Sequence, residues 1–451
     1  MAVGVLCAVR GTAESQIVQA VDATGGRLRV TRRCADLAEL LAAAEAGLGR
    51  VAVVSADLPL LDREAVAALH RCGVHVVGLG EPGAPWHGDR LRDLGAELVL
   101  DVPSDARAAA VLVREVVEAL ESPTGSRAAE AAAPGQVGAD RPSADAPVPG
   151  AGSPRRERGQ LVAVWGPTGA PGRTTLAMNL AAELAVAGRT ALLVDADTYG
   201  GTVAQAVGML DEAPGLAAAA RAAGQGALDV EALARLSPLL APDLRVLSGI
   251  SRPDRWPELP ASSLDVVWTV ARALTDWTVV DCGFCLEQDE ILSYDTRAPR
   301  RNAATLSALY EADEVVVVGA ADPIGVQRLV RALADLADLG LPGNRTVVVN
   351  RLRSGVAGPR PGEAIAEALA RYAGVTDVHL VPDDPAGLDA ALLDARLLHE
   401  IVPGSPARRA VVALAGRLAA ATSGAPTSAR HAPVRPVELD SFAPAARLAE
   451  A

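Results

Sequence analysis

The sequence predicts an α/β protein with two parallel sheets, each covered by helices on both faces. Three observations carry this prediction. Short apolar runs alternate with helix-length segments through residues 1–121 and again through residues 160–421, because each parallel crossover needs a connection long enough for a helix. Between them, residues 122–159 are rich in Pro, Gly, Ala and Ser without periodicity, which reads as a disordered linker. The chain of 451 residues also exceeds the roughly 250–300 residues at which single cores stop growing.

In the first unit, strands are expected at VGVLCAV, VAVVSA, VHVVGL and ELVLDV. Helices are expected near residues 35–47, near 63–71 and at RAAAVLVREVVEAL. In the second unit, LVAVW, ALLVDA, LRVLS, WTVVD, EVVVVG, RTVVVN and VHLVP predict one doubly wound, mostly parallel sheet of seven strands. Residues 422–451 return to Pro, Ser, Ala and Arg and read as a disordered tail, within which LDSFAPAARLAEA has the composition of a short docking helix. No repeat occurs at solenoid spacing.

Composition narrows the function. The formal net charge is -13 and all 42 basic residues are arginine, with no lysine anywhere. Sequence-independent nucleic-acid binding needs clustered cations, so this balance argues against nucleic acid as a partner. No run of about 20 uncharged apolar residues is present, so no transmembrane segment is expected. The N-terminus MAVGVLCAVRGT enters strand-like sequence without a leader pattern, which predicts a cytoplasmic chain. Cys7, Cys34, Cys72, Cys282 and Cys285 are an odd, scattered set, expected to be reduced thiols.

After LVAVW comes Gly166-Pro167-Thr168-Gly169-Ala170-Pro171-Gly172-Arg173-Thr174-Thr175 and then the helical LAMNLAAELAVAG. Strand, small-residue loop and helix are the setting of a P-loop. There, backbone N–H groups and the helix N-terminus hold phosphate, a basic side chain reaches the β- and γ-phosphates, and a hydroxyl binds Mg²⁺. Residues Gly169, Ala170, Pro171, Gly172, Arg173, Thr174 and Thr175 are thus the candidate nucleotide-binding set, with Thr174 on the metal. Pro167 replaces the first Gly of the motif and Arg173 its Lys, so the loop taken alone fits an ordinary Gly/Pro turn equally well.

The segments that follow decide between these readings. GRTALLVDADTYGG resembles the stretch after the P-loop helix in ParA/MinD ATPases, WTVVDCG resembles their Walker B strand, and VVVNRL resembles their base-recognition strand. VPDDPAGLDAALLDARLLHEIVPGSPARRAVVALA resembles their closing pattern, so the resemblance spans residues 160 to about 420. It implies ATP and Mg²⁺ as cofactors, with Asp195 and Asp281 beside the metal and Asp197 orienting the attacking water. It also casts Arg173 as the catalytic cation and poises Asn350 for adenine. Taken singly, each Asp also fits a strand-terminal or N-cap carboxylate, and Asn350 fits a turn equally well. Thr168 stands where the family has a signature lysine that crosses its dimer, and Arg is longer and planar where Lys is a point charge. These departures point to slow or conditional hydrolysis, with a non-catalytic pseudo-ATPase scaffold as the alternative.

The first unit resembles a response-regulator receiver without its phosphorylation chemistry. Cys7-Ala8-Val9-Arg10 replaces the metal-binding acids, Ser55 stands at the acceptor position with Asp57 nearby, and Val102-Pro103 lacks the lysine. An atypical receiver joined to a ParA/MinD-like ATPase resembles the TadZ/CpaE family, which localises the assembly machinery of Flp-type (Tad) pili. That resemblance implies a nucleotide-dependent homodimer, positioning at the cell pole or septum, and pilus-assembly protein partners. A MinD/ParA-type septum-site or chromosome-partitioning ATPase is the other reading, and the acidic charge and the missing signature lysine weigh against the partitioning form of it. The tail from Pro436 to Ala451 is poor in positive charge, which does not suggest a membrane-binding helix but leaves peripheral membrane association open. Cys282 and Cys285 have redox-pair spacing in a setting that reads as ordinary loop or core. Arg297, Arg300 and Arg301 form either a switch or a solvated basic turn.

Overall fold

The computed structural model describes residues 2–121, 158–169, 172–209, 214–288 and 299–422. In the first unit five strands, β1 (Val3–Ala8), β2 (Leu28–Arg33), β3 (Val51–Ser55), β4 (His75–Gly80) and β5 (Leu98–Asp101), alternate with five helices. These are α1 (Thr12–Asp22), α2 (Leu37–Glu45), α3 (Arg63–Arg71), α4 (Pro85–Leu94) and α5 (Ala106–Glu121). All the strands pair in parallel in the order β2-β1-β3-β4-β5, the flavodoxin-type order. Leu40, Val54, Leu69 and Leu91 fill the core on one face, and Ile17, Val53, Leu79 and Leu112 fill it on the other. Strand β2 and helices α1 and α4 add to the elements expected from sequence. β2 is an edge strand, and its Arg29, Arg32 and Arg33 are exposed, so LRVTRR carries no apolar run.

The second unit runs β6 (Gln160–Trp165), α6 (Arg173–Val186), β7 (Ala191–Ala196), α7 (Val203–Ala206), α8 (Gly215–Gly224), α9 (Val230–Leu236), β8 (Leu239–Ala241) and β9 (Leu244–Leu247). It continues through α10 (Ala261–Leu274), β10 (Trp277–Cys282), α11 (Ala303–Glu311), β11 (Glu314–Ala320), α12 (Pro323–Asp338), β12 (Asn344–Leu352), α13 (Pro361–Ala373) and β13 (Val378–Pro382). Helices α14 (Pro385–Leu393), α15 (Leu398–Ile401) and α16 (Pro406–Thr422) close it. The sheet order is β13-β12-β11-β6-β10-β7-β9-β8. All seven expected strands form and pair in parallel, but the sheet has eight strands. The addition, β8, pairs antiparallel with β9 through a turn in which Asp243 takes a positive φ of 61°. With three residues it is too short for a periodic signal.

Two features of this sheet position the site. Strand β6 leads by way of α6 to β7 on one side, whereas β10 leads to β11 on the other, so the carboxyl ends of β6 and β10 flank a topological switch point, where open α/β sheets bind ligands. Asp281 on β10 lies in register with Asp195 on β7. By strand alternation both share the face of Leu193 and Val279, which is the face covered by α6. Helix α3 of the first unit packs against α10 and α8, and Ser262 Oγ donates to Glu64 Oε2 at 2.5 Å. Among the described residues no helix is long and apolar enough to cross a membrane.

At the carboxyl edge of the first sheet, Ser55 is buried and its Oγ accepts the Arg10 N–H at 3.1 Å, while Asp57 is exposed. Among the described residues no three His, Cys, Asp or Glu side chains gather to hold a metal.

Candidate functional site

The loop between β6 and α6 turns on two glycines in the left-handed region, Gly169 at φ 69° and Gly172 at φ 83°. A side chain at either position would be strained. Gly172 caps α6 with no side-chain hydrogen bond, so no cap side chain competes with an anion for the first N–H groups of the helix. Ala170 and Pro171 lie outside the described residues. Thr174 and Thr175 occupy the first turn of α6, half-buried, and the Thr175 carbonyl accepts from Asn179 Nδ2 at 2.8 Å.

Arg173 does not extend across the loop. Its Nη1 donates to the Gly166 and Pro167 carbonyls at 2.8 and 3.2 Å, and its Nη2 lies 3.8 Å from Asp197 Oδ2. The guanidinium thus holds the start of the loop closed. Asp197 Oδ1 accepts the N–H groups of Tyr199 and Gly200 at 2.8 and 3.2 Å, the turn-capping role open to it from sequence. Its second oxygen faces Arg173, which brings the two catalytic candidates together.

Asp195 is buried, with its oxygens accepting the N–H groups of Asp197 at 3.2 Å and Val203 at 3.1 Å. Burial raises its carboxyl to about 7; the two N–H groups pull it down, and the charge of Asp197 adds to the rise. Asp281 differs. It is 1 % exposed, and among the described residues neither carboxylate oxygen has a partner in hydrogen-bond geometry. Burial, then the negative charge of Asp195, drive its carboxyl well above the usual carboxylate range, while the Thr174 hydroxyl beside it acts in the opposite direction. An ionised carboxylate in that position is costly unless a cation meets it.

These donors fit Mg²⁺. That ion keeps several waters and takes one or two carboxylates together with nucleotide phosphates, so it does not need an all-protein cage. Thr174, Asp281 and Asp195 supply a hydroxyl and two carboxylates on one face beneath a helix N-terminus. Asn350 lies at the edge of the same loop. Its Oδ1 accepts the Arg351 N–H at 2.9 Å, and its amide nitrogen would stand 2.5 Å from a Cβ placed on Gly172. Arg351 itself takes a positive φ of 59°, so Asn350 caps a turn and also covers the loop.

A second group of contacts was not read from sequence. Tyr199 packs on Phe284 with ring centroids 4.8 Å apart, and the Arg301 guanidinium sits 4.2 Å from the Tyr199 ring centre. Tyr199 Oη donates to Asn302 Oδ1 at 2.9 Å, and Asn302 Nδ2 in turn donates to the Glu287 carbonyl at 2.7 Å and to Cys285 Sγ at 3.3 Å. The turn held by Asp197 is thereby tied to the segment that follows β10. The run Arg300-Arg301 was the available signal, and Arg301 is its stacking member; Arg297 lies outside the described residues. Cys282 is buried in β10, where burial raises its thiol well above the usual range, the opposite of a reactive thiolate, and Cys282 and Cys285 are both free.

No family model matches the chain, and no curated protein matches it. Among solved structures, the chain is similar to the cell division ATPase MinD of Pyrococcus furiosus, at 20% identity and a TM-score of 0.47 over 58% of this chain and 99% of that one. It is similar to a ParA family ATPase from Chlorobium tepidum at 16% identity and a TM-score of 0.47, over 58% and 98%. It is also similar to the septum site-determining protein MinD of Pyrococcus horikoshii, complexed with Mg-ADP, at 19% identity and a TM-score of 0.44, over 57% and 95%. Similarity at this level carries no functional argument.

Proposed function

We propose that this chain is an ATP- and Mg²⁺-binding switch that hydrolyses ATP slowly or conditionally. One observation carries the reading: the buried carboxylate of Asp281, with no partner in hydrogen-bond geometry among the described residues, lies in register with Asp195 beneath the first turn of α6. The bound metal would supply charge neutralisation for the phosphates. Thr174, Asp195 and Asp281 hold it, the N–H groups from Gly172 onward hold phosphate, Asp197 orients water, and Asn350 covers the loop on its nucleotide side. The resemblance of the two-unit chain to the TadZ/CpaE family supports a finer role as a homodimeric localisation factor for Tad pilus assembly at a cell pole or septum.

Calorimetric titration of Mg-ATP into the full chain tests the switch, with Arg173→Ala as the control. Micromolar binding weakened at least tenfold in the variant is expected; no binding at millimolar ligand would defeat the proposal. The finer role is tested by following a fluorescent fusion in the native cell, where a polar or septal focus that depends on Asp281 is expected and a uniform distribution would defeat it. The alternative of a pseudo-ATPase scaffold is favoured by one observation, the engagement of Arg173 with Gly166, Pro167 and Asp197. It predicts no binding in the same titration.

A further inference from the structure

Arg173 gives its Nη1 to two loop carbonyls and holds its Nη2 3.8 Å from Asp197, so part of its guanidinium is committed to the loop before any anion arrives. A second guanidinium stands at the other end of the loop. Arg328, on α12, extends over the Thr168–Gly169 turn, with Nη1 3.4 Å from the Thr168 carbonyl oxygen. A Cβ placed on Gly169 would come within 2.1 Å of the same nitrogen. The guanidinium therefore lies directly on the loop, at a position whose left-handed backbone already excludes a side chain. Among the described residues Arg328 has no carboxylate within ion-pair distance, although Asp322 is only six residues away. The Asp322 side chain instead caps the N–H groups of Ile324 and Gly325.

Surface arginines ordinarily project into solvent. This one reaches across 160 residues of sequence to a loop whose other covering group is the Asn350 amide over Gly172. Among the described residues its one hydrogen-bond acceptor is the Thr168 carbonyl, and the planar fork of a guanidinium suits phosphate oxygens. We propose that Arg328 is the cation that meets the nucleotide phosphates from within the same chain, while Arg173 chiefly holds the loop closed. The assignment rests on the proposed nucleotide site and adds to it the residue that supplies charge. It also divides two roles that a single P-loop lysine would combine.

The test is calorimetric titration of Mg-ATP into the full-length wild-type chain and into Arg328→Ala, Arg328→Lys and Arg331→Ala. Arg331 is an exposed arginine on the same helix, so its variant controls for loss of general positive charge. Arg328 is exposed on its helix, and an unchanged melting temperature without ligand will confirm that each variant folds. Affinity is expected to fall at least tenfold in Arg328→Ala, to recover partly in Arg328→Lys, and to change less than twofold in Arg331→Ala. Wild-type binding with unchanged or tighter binding by Arg328→Ala overturns this assignment alone, because a cation that merely plugs the loop would release affinity when removed. Equal losses in the Ala variants at 328 and 331 also overturn it, as a general charge effect. Absence of wild-type binding overturns the nucleotide site and this assignment together.

Discussion

Replacing Asp281 with Asn is expected to stabilise the ligand-free protein and to abolish its response to Mg-ATP. Both carboxylate oxygens are buried with no partner in hydrogen-bond geometry among the described residues, and Asp195 adds a second negative charge in the adjoining strand. Because the folded-state carboxyl titrates above its unfolded value, the native chain binds the extra proton between those two points. Stability therefore falls as pH rises through that window. At pH 8 the ligand-free chain bears this cost, and at pH 4 it does not. An unsatisfied buried polar or charged group costs about 1–3 kcal/mol, of which the Asn amide retains part, leaving a gain of about 1–2 kcal/mol. At about 2–4 °C per kcal/mol for a domain of this size, the variant should melt about 2–8 °C higher at pH 8, with the difference vanishing near pH 4. Ligand at about 100 times Kd stabilises the wild type by about 2.7 kcal/mol, and the variant should lose most of that shift. Thermal melts with and without Mg-ATP at both pH values measure all four quantities. A variant that melts lower than wild type at pH 8, or that keeps the full Mg-ATP shift, refutes the reasoning.

The remaining predictions concern the frame around the site. Arg272 is buried and donates to the Gly159 and Glu311 carbonyls at 2.8 and 2.5 Å while pairing with Asp313, so Arg272→Ala should cost about 3–5 kcal/mol in urea unfolding. A loss below about 1 kcal/mol would show that those groups find other partners. Burial raises the Glu314 carboxyl, even though it accepts from Thr346 Oγ1 at 2.5 Å. Its folded value again exceeds the unfolded one, so Glu314→Gln should flatten the loss of stability as pH rises from about 4, and an unchanged pH profile would count against it. Glu64→Ala removes the acceptor of Ser262 and should cost about 0.5–1.5 kcal/mol at the contact between the two units. Faster amide exchange confined to α3 and α10 is the readout, and unchanged exchange there would mean that the contact contributes nothing.

What the sequence revealed followed burial. EVVVVG, ALLVDA and WTVVD lie inside the sheet, covered on both faces, so they are continuous apolar runs and could be read without a structure. LRVTRR at an edge of the five-stranded sheet and the three-residue Leu239–Ala241 at an edge of the eight-stranded sheet are strands by pairing alone, and neither announces itself by composition. The site divides the same way. Its loop and three carboxylates sit at strand ends, where local motifs mark them, and the structure gathers them on one edge. The fold-back of Arg173 onto Gly166, the approach of Arg328 from a distant helix, and the stack of Arg301 on Tyr199 depend on how crossovers return to the sheet. Residue spacing along the chain carries no such information.

The three aspartates at the sheet edge are not equivalent, and the difference bears on why they are there. Asp195 is satisfied by two backbone N–H groups, and Asp197 caps a turn and faces Arg173, so each has a structural use that would justify it without a ligand. Asp281 has none among the described residues. Burial holds its carboxyl well above the usual carboxylate range, and an amide in its place would avoid the cost of ionising it there. A buried carboxylate whose oxygens have no partner in hydrogen-bond geometry among the described residues is in keeping with the external partner proposed for it. Its position beside Thr174, beneath the first N–H groups of α6, suits the cation and phosphate proposed above. Neither ligand alone would resolve both the exposed helix end and the buried negative charge.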